Sequence, residues 1–223
     1  MPATVGLIHT SPAMLPVFKP LVQELLPAGV TTFNMVDESL LCDIIEQGKC
    51  PPTTARRLVG HVLSAEQAGA THILVTCSSM GRAVETARSL TSATVLRVDQ
   101  PMADRAIATG SRIGVAATLP STLEPTVELI RRTAAAAGRE IALTARVVEG
   151  AFQAVMNGQP DKHDQLVASA IAELNQTSDV IVLAQASMAR VTDALPPERR
   201  PVPILTSPRL AIEHLAALLR KER

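Results

Sequence analysis

The chain has 223 residues, 47% of them apolar, and its 21 Lys and Arg balance 21 Asp and Glu. That length can bury one large core or two smaller ones, and zero net charge removes the electrostatic case for a nucleic acid or an acidic membrane as partner. Trp and Tyr are absent and Phe18, Phe33 and Phe152 are the whole aromatic content, which argues against stacking platforms for bases or sugars and leaves a small polar ligand.

The opening MPATVGLIHT lacks a basic stretch followed by a long apolar one, and no segment approaches the roughly 18 apolar residues of a membrane span, so a cytoplasmic protein is expected. VGLIH reads as a strand followed by a helical stretch to Leu26, and VTTFNMV as a second strand with helical patterns to Ala68. HILVT and TVLRV each lead into a further helix. Short β-rich runs alternating with amphipathic segments predict βαβ units, a parallel sheet and an α/β fold. Cys42, Cys50 and Cys77 are odd in number and show no C-x-x-C spacing, so neither a disulfide framework nor a zinc site is indicated.

The pattern then restarts. Gly6 in VGLIHTSP falls on Gly114 in IGVAATLP, and the same shift of 108 puts Thr10 on Thr118, Pro12 on Pro120, Leu15 on Leu123 and Leu21 on Leu129. In that register HILVTCSSMGRAVE meets VIVLAQASMARVTD, with Ser79 on Ser187, Met80 on Met188, Arg82 on Arg190 and Glu85 on Asp193. The fourth strands, TVLRVDQP and VPILTSP, coincide once a one-residue gap brings Pro101 to Pro208. Two pseudosymmetric four-stranded parallel α/β domains are expected: residues 1–100 with 207–223, carrying Cys77, and residues 101–206, carrying Gln185. In open parallel sheets ligands bind at the carboxyl ends of strands. The expectation is a cleft between the halves ringed by Thr10, Cys77, Ser78, Ser79, Thr118, Gln185 and Ser187.

TCSSMG has the makings of an anion cradle, because a helix starting near Ser79 leaves backbone N–H groups unpaired beside two hydroxyls. The same positive end is expected to lower the Cys77 thiol pKa and to let it act as acid, base or nucleophile near neutral pH. The competing reading is plain packing, since free Cys is among the most buried residue types.

These segments, with VDESLL at Val36–Leu41, VLRVDQPMADRAI at Val95–Ile107, RIGVAATLPSTLEPT at Arg112–Thr126 and VIVLAQASMA at Val180–Ala189, resemble the aspartate/glutamate racemase superfamily over nearly the whole chain. That superfamily includes hydantoin racemase, maleate isomerase and arylmalonate decarboxylase. The resemblance implies two pseudosymmetric domains, a small carboxylate substrate, and neither pyridoxal phosphate nor a metal as cofactor. It also implies two cysteines, one after the third strand of each half. Cys77 matches the first; Gln185 stands where the second is expected. A carboxamide has no acid-base chemistry near pH 7, so Gln185 is read as holding substrate or stabilising an enolate.

His9 stands where glutamate racemases carry a supporting aspartate, and is read either as base or counter-ion to Cys77 or as a hydrogen-bonded wall residue. Thr10, Ser11 and Thr118 are carboxylate donors, helix caps or both. Asp37 and Asp99 stay outside the site, His61, His72, His163 and His214 read as filling, and PPERRP reads as a solvated loop from which Arg199 or Arg200 could reach an anion. Homo-oligomerisation is open, as no segment marks an interface. Three functions compete: an isomerase acting at an α-carbon or double bond through Cys77, a decarboxylase or carbon-carbon lyase with Cys77 as proton donor, and a carboxylate-binding protein without turnover.

Overall fold

The computed structural model describes residues 3–222. The chain divides into two compact units, Met1–Val98 with Pro208–Arg223, and Asp99–Ser207. In the first unit β1 (Thr4–His9), β2 (Thr31–Val36), β3 (His72–Val75) and β4 (Thr94–Arg97) pair in parallel in the order β2-β1-β3-β4. They are linked by α1 (Leu15–Leu25), α2 (Ser39–Gln47), α3 (Pro52–Gln67) and α4 (Gly81–Arg88).

The second unit opens with α5 (Gln100–Thr109) and repeats the topology: β5 (Arg112–Ala117), β6 (Ala142–Val147), β7 (Val180–Leu183) and β8 (Ile204–Thr206) in the order β6-β5-β7-β8. Its helices are α6 (Pro120–Ala136), α7 (Ala151–Met156), α8 (Pro160–Leu174) and α9 (Ala189–Ala194). From β8 the chain passes into α10 (Ser207–Lys221), which returns to the first unit and is tied to α1 by the Arg209–Glu24 ion pair at 2.8 Å. Two α/β units with all-parallel sheets are what the alternation and the repeat predict.

Burial explains the strand pattern. Every residue of β3 and of β7 is buried, as expected of inner strands covered on both faces, whereas the edge strand β2 alternates between exposed and half-buried positions. One face of the first sheet packs Ile8, Ile73 and Val75 on Leu40 and Ile44 of α2, Leu58 and Val62 of α3 and Val84 of α4. In the second unit Ala116, Ile181 and Leu183 meet Val167, Ile171 and Leu174 of α8 and Val191 of α9. Gly114 lets α8 approach β5, since a Cβ there would lie 2.6 Å from Ser178 Oγ and 3.2 Å from Leu174.

The ladders test the repeat residue by residue. Gly6 pairs with Ile73 and Gly114 with Ile181, so strands one and three keep the shift of 108. Ile73 pairs with Val95 but Ile181 with Ile204, a shift of 109. The fourth-strand match is corrected accordingly: Arg97 corresponds to Thr206. Val98 and Asp99, between β4 and α5, have no counterpart because α10 follows β8 directly. One residue gained before the strand and two lost after it bring Pro101 to Pro208.

Candidate active site

Parallel pairing sends all four carboxyl ends of the first sheet to one edge, and there the exits of β1 and β3 bring His9 and Thr10 beside Cys77, Ser78 and Ser79. Cys77 is extended (φ −124°, ψ 115°) and precedes one 3-10 turn, Ser78–Met80, before α4 begins at Gly81. Thr10, Ser78 and Ser79 are buried and Cys77 is half-buried.

Burial pushes the Cys77 thiol above its ordinary pKa, while the Thr10 hydroxyl, the Ser79 and Met80 amides and the Ser79 hydroxyl pull it down without prevailing. The expected lowered value is thereby corrected. Lost hydration penalises a full thiolate charge, whereas a single turn of amides and two hydroxyls return only partial charges. The resting form is the thiol, with donors in place for the thiolate when it forms.

His9 is fully buried. Its Nδ1 lies 2.8 Å from Thr76 Oγ1 and its Nε2 2.9 Å from Asn34 Oδ1. Burial lowers the ring's pKa and the Asn34 hydrogen bond restores only part of it, which leaves a neutral imidazole. With Nε2–H donating to Asn34 Oδ1, the single Thr76 hydroxyl proton has two acceptors in reach, His9 Nδ1 at 2.8 Å and the Ile8 carbonyl at 3.1 Å. Both nitrogens face a polar partner, so service as base or counter-ion would first disturb one of these contacts. The ring packs on Phe18 at 5.7 Å and braces Thr76, the residue before Cys77.

Three neighbours were not among the expected site residues. Asn34 signalled itself only as an amide inside the strand TTFNMV. Cys50 sits on the α2–α3 connection, where its Sγ lies 3.9 Å from Met80 Sδ; burial, then the charges of Cys77 and Asp43, raise its pKa. Arg97 ends β4 only 3% exposed, with its guanidinium paired to Glu85 on α4. That guanidinium lies against Gly81: a Cβ there would stand 2.6 Å from Nη1 and closer still to Cζ. The sequence signal was Gly81 in one half against Ala189 in the other; that Thr206 stands where Arg97 does emerges only from strand pairing.

In the second unit Thr118 is buried after β5, and Gln185 follows β7 with φ −115° and ψ 135°, ahead of the matching 3-10 turn Ala186–Met188. The Thr118 backbone N–H donates to Gln185 Oε1. This fixes the amide and leaves the two Nε2 hydrogens as the part able to act on a ligand. Ser187 is half-buried in the same turn. Thr118, Gln185 and Ser187 thus gather at the edge of the second sheet.

Other candidates have local duties. Ser11 Oγ accepts from Ala13 N at 3.3 Å as a cap. Asp37 accepts from Ser39 N (3.1 Å), Arg57 Nη2 (2.8 Å) and His61 Nε2 (2.8 Å). Burial alone would raise the Asp37 carboxyl, but Ser39, His61 and Arg57 hold it well below the usual range. The cluster starts α2 and ties it to α3. Among the described residues no three His, Cys, Asp or Glu side chains group to hold a metal ion. No helix there is long and apolar enough to cross a membrane.

The fold is shared with solved racemases. It resembles allantoin racemase from Klebsiella pneumoniae with TM-score 0.74 at 17% identity, covering 99% of this chain and 89% of that one. For aspartate racemase from Picrophilus torridus the figures are 0.73, 14%, 99% and 94%. For a glutamate racemase from Bacillus anthracis they are 0.71, 17%, 99% and 82%. No curated protein sequence matches. Residues 5–215 match the Asp/Glu/Hydantoin racemase family, and the chain belongs to it.

Proposed function

We propose that the chain is a cofactor-independent, isomerase-type enzyme that moves a proton at the α-carbon of a small carboxylate through the thiol of Cys77. The observation carrying this reading is the set of donors converging on that sulfur. Family membership and the aspartate, glutamate and allantoin racemases of the same fold support the substrate class. Ser78 and Ser79 supply donors for a carboxylate, as do Thr10 and Thr118, and Gln185 offers its Nε2 hydrogens to a developing enolate oxygen. His9 serves by bracing Thr76.

The raised thiol pKa favours a second reading as well. A thiol that rests protonated is suited to give its proton to an enolate, which is the step a decarboxylase or carbon-carbon lyase needs. Both readings meet in one experiment: dicarboxylic acids, amino acids, hydantoins and substituted malonates incubated in deuterated water. Deuterium at the α-carbon of recovered substrate marks isomerisation, and deuterium in a smaller product marks lysis. Ligand-induced thermal stabilisation with neither outcome marks a binding protein. Full turnover in Cys77→Ser would remove the thiol from the mechanism.

A further inference from the structure

Arg97 is a buried cation without a place in the chemistry above, and its surroundings are specific. It sits opposite Val75 in the β3–β4 ladder, two residues before Cys77. Its guanidinium reaches over the first residue of α4 and pairs with Glu85, one turn further along that helix. Glycine at position 81 is what makes room, because any side chain would collide with the guanidinium. The guanidinium cannot swing aside cheaply, since its side chain is only 2% exposed and its ion pair with Glu85 would be lost. Immediately before Gly81 lies the turn whose Ser79 and Met80 amides face the Cys77 sulfur. In the second unit Ala189, Asp193 and Thr206 hold the matching places, and Gln185, whose amide has no acid-base chemistry near pH 7, follows the strand.

We infer that Arg97 is a positioning residue for Cys77: clamped by Glu85, its guanidinium is the surface on which Gly81 starts α4, and it thereby sets the turn that presents its amides to the sulfur. The inference rests on Cys77 being the reactive thiol, and it concerns the sulfur's environment, which can be read without a substrate.

The test is the titration of Cys77 in the whole protein, followed by the 13Cβ shift of labelled cysteine, with exposed Cys42 as internal reference. The charged or titrating groups near the thiol include His9 at the end of β1, Arg97 on β4 with buried Asp99 just beyond it, Glu85 on α4, and Cys50 with Asp43 from the α2–α3 segment. All except the substituted one are retained in each variant. Arg97→Thr is expected to raise the Cys77 midpoint by about one pH unit, and Arg97→Lys, which keeps the charge without the planar fork, by about half of that. Glu85→Gln separates the alternatives by sign. Loss of a nearby negative charge alone would lower the midpoint, whereas release of the clamp raises it.

An unchanged midpoint in variants that fold, or a fall in Glu85→Gln, would overturn the proposal, even if melting temperatures drop. Should Arg97→Thr fail to fold, the sign in Glu85→Gln decides. Full turnover by Cys77→Ser would sink the functional reading and leave this titration standing. An unmoved midpoint would sink the clamp and leave the functional reading intact.

Discussion

The exits of β3 and β7 are built on the same backbone. Cys77 and Gln185 both stand extended before a single 3-10 turn, and a short helix follows each. Their side chains have separate employment. In the first unit the Thr10 hydroxyl serves a sulfur, while in the second the Thr118 backbone N–H holds an amide oxygen. The first unit sets glycine under a buried arginine; the second has alanine and threonine at the matching positions. Strand register depends on apolar residues covered from both sides, so it withstands wholesale change at the strand ends. A duplicated fold can therefore keep two frames and carry a thiol in one of them.

The largest expected effect falls on the difference between thiol and amide. Cys77→Ser keeps the shape and loses the thiol, so kcat/KM on the substrate found by the deuterium screen should drop about a thousandfold or more. Gln185→Cys makes the units alike: racemisation of aspartate, glutamate or a hydantoin should appear or rise, seen as α-proton exchange without net consumption. Failure of a folded, thiol-competent variant would show that ligand shape rules instead.

Stability gives smaller contrasts. Gly81→Ala should cost about 1–3 kcal/mol in urea unfolding by forcing Arg97 aside, whereas Ala189→Gly in the matching place should cost about 0.5–1 kcal/mol through backbone entropy. Equal losses would mean that the guanidinium contact carries no weight. The smallest effect is pH-dependent. The Asp37 carboxyl is held below its unfolded value, so its contribution is complete above the unfolded pKa and fades as pH falls through the folded one. Asp37→Asn should therefore lower the melting temperature by about 2–4 °C at pH 7, with the gap closing in acid. A gap independent of pH would remove the charge from the account.

The two sheets were legible because inner parallel strands are largely apolar, as Ile73–Val75 of HILV and all of VIVL are. The shift of 108 made Gln185 visible as the counterpart of Cys77 before any coordinates. The fourth strands were misaligned because two opposite length changes flank β8 and partly cancel, which only hydrogen-bond pairing exposes. The direction of the Cys77 pKa was misjudged because helix-end amides are local and readable, while desolvation comes from distant segments folding over the sulfur. His9 with Asn34, 25 residues apart, and Cys50 near Met80, 30 residues apart, join across the fold, and no spacing rule connects either pair.

Cys50 brings a consequence for how the first unit stores charge. Negative charge on Cys77 opposes ionisation of Cys50, and Cys50 is already penalised by burial and by Asp43. Charge on Cys77 therefore adds to the cost of ionising Cys50. The second thiolate always costs more than the first. A neutral adduct on Cys77 would relieve Cys50 of that opposition, so the half-buried cysteine should become the easier one to ionise once its neighbour has reacted.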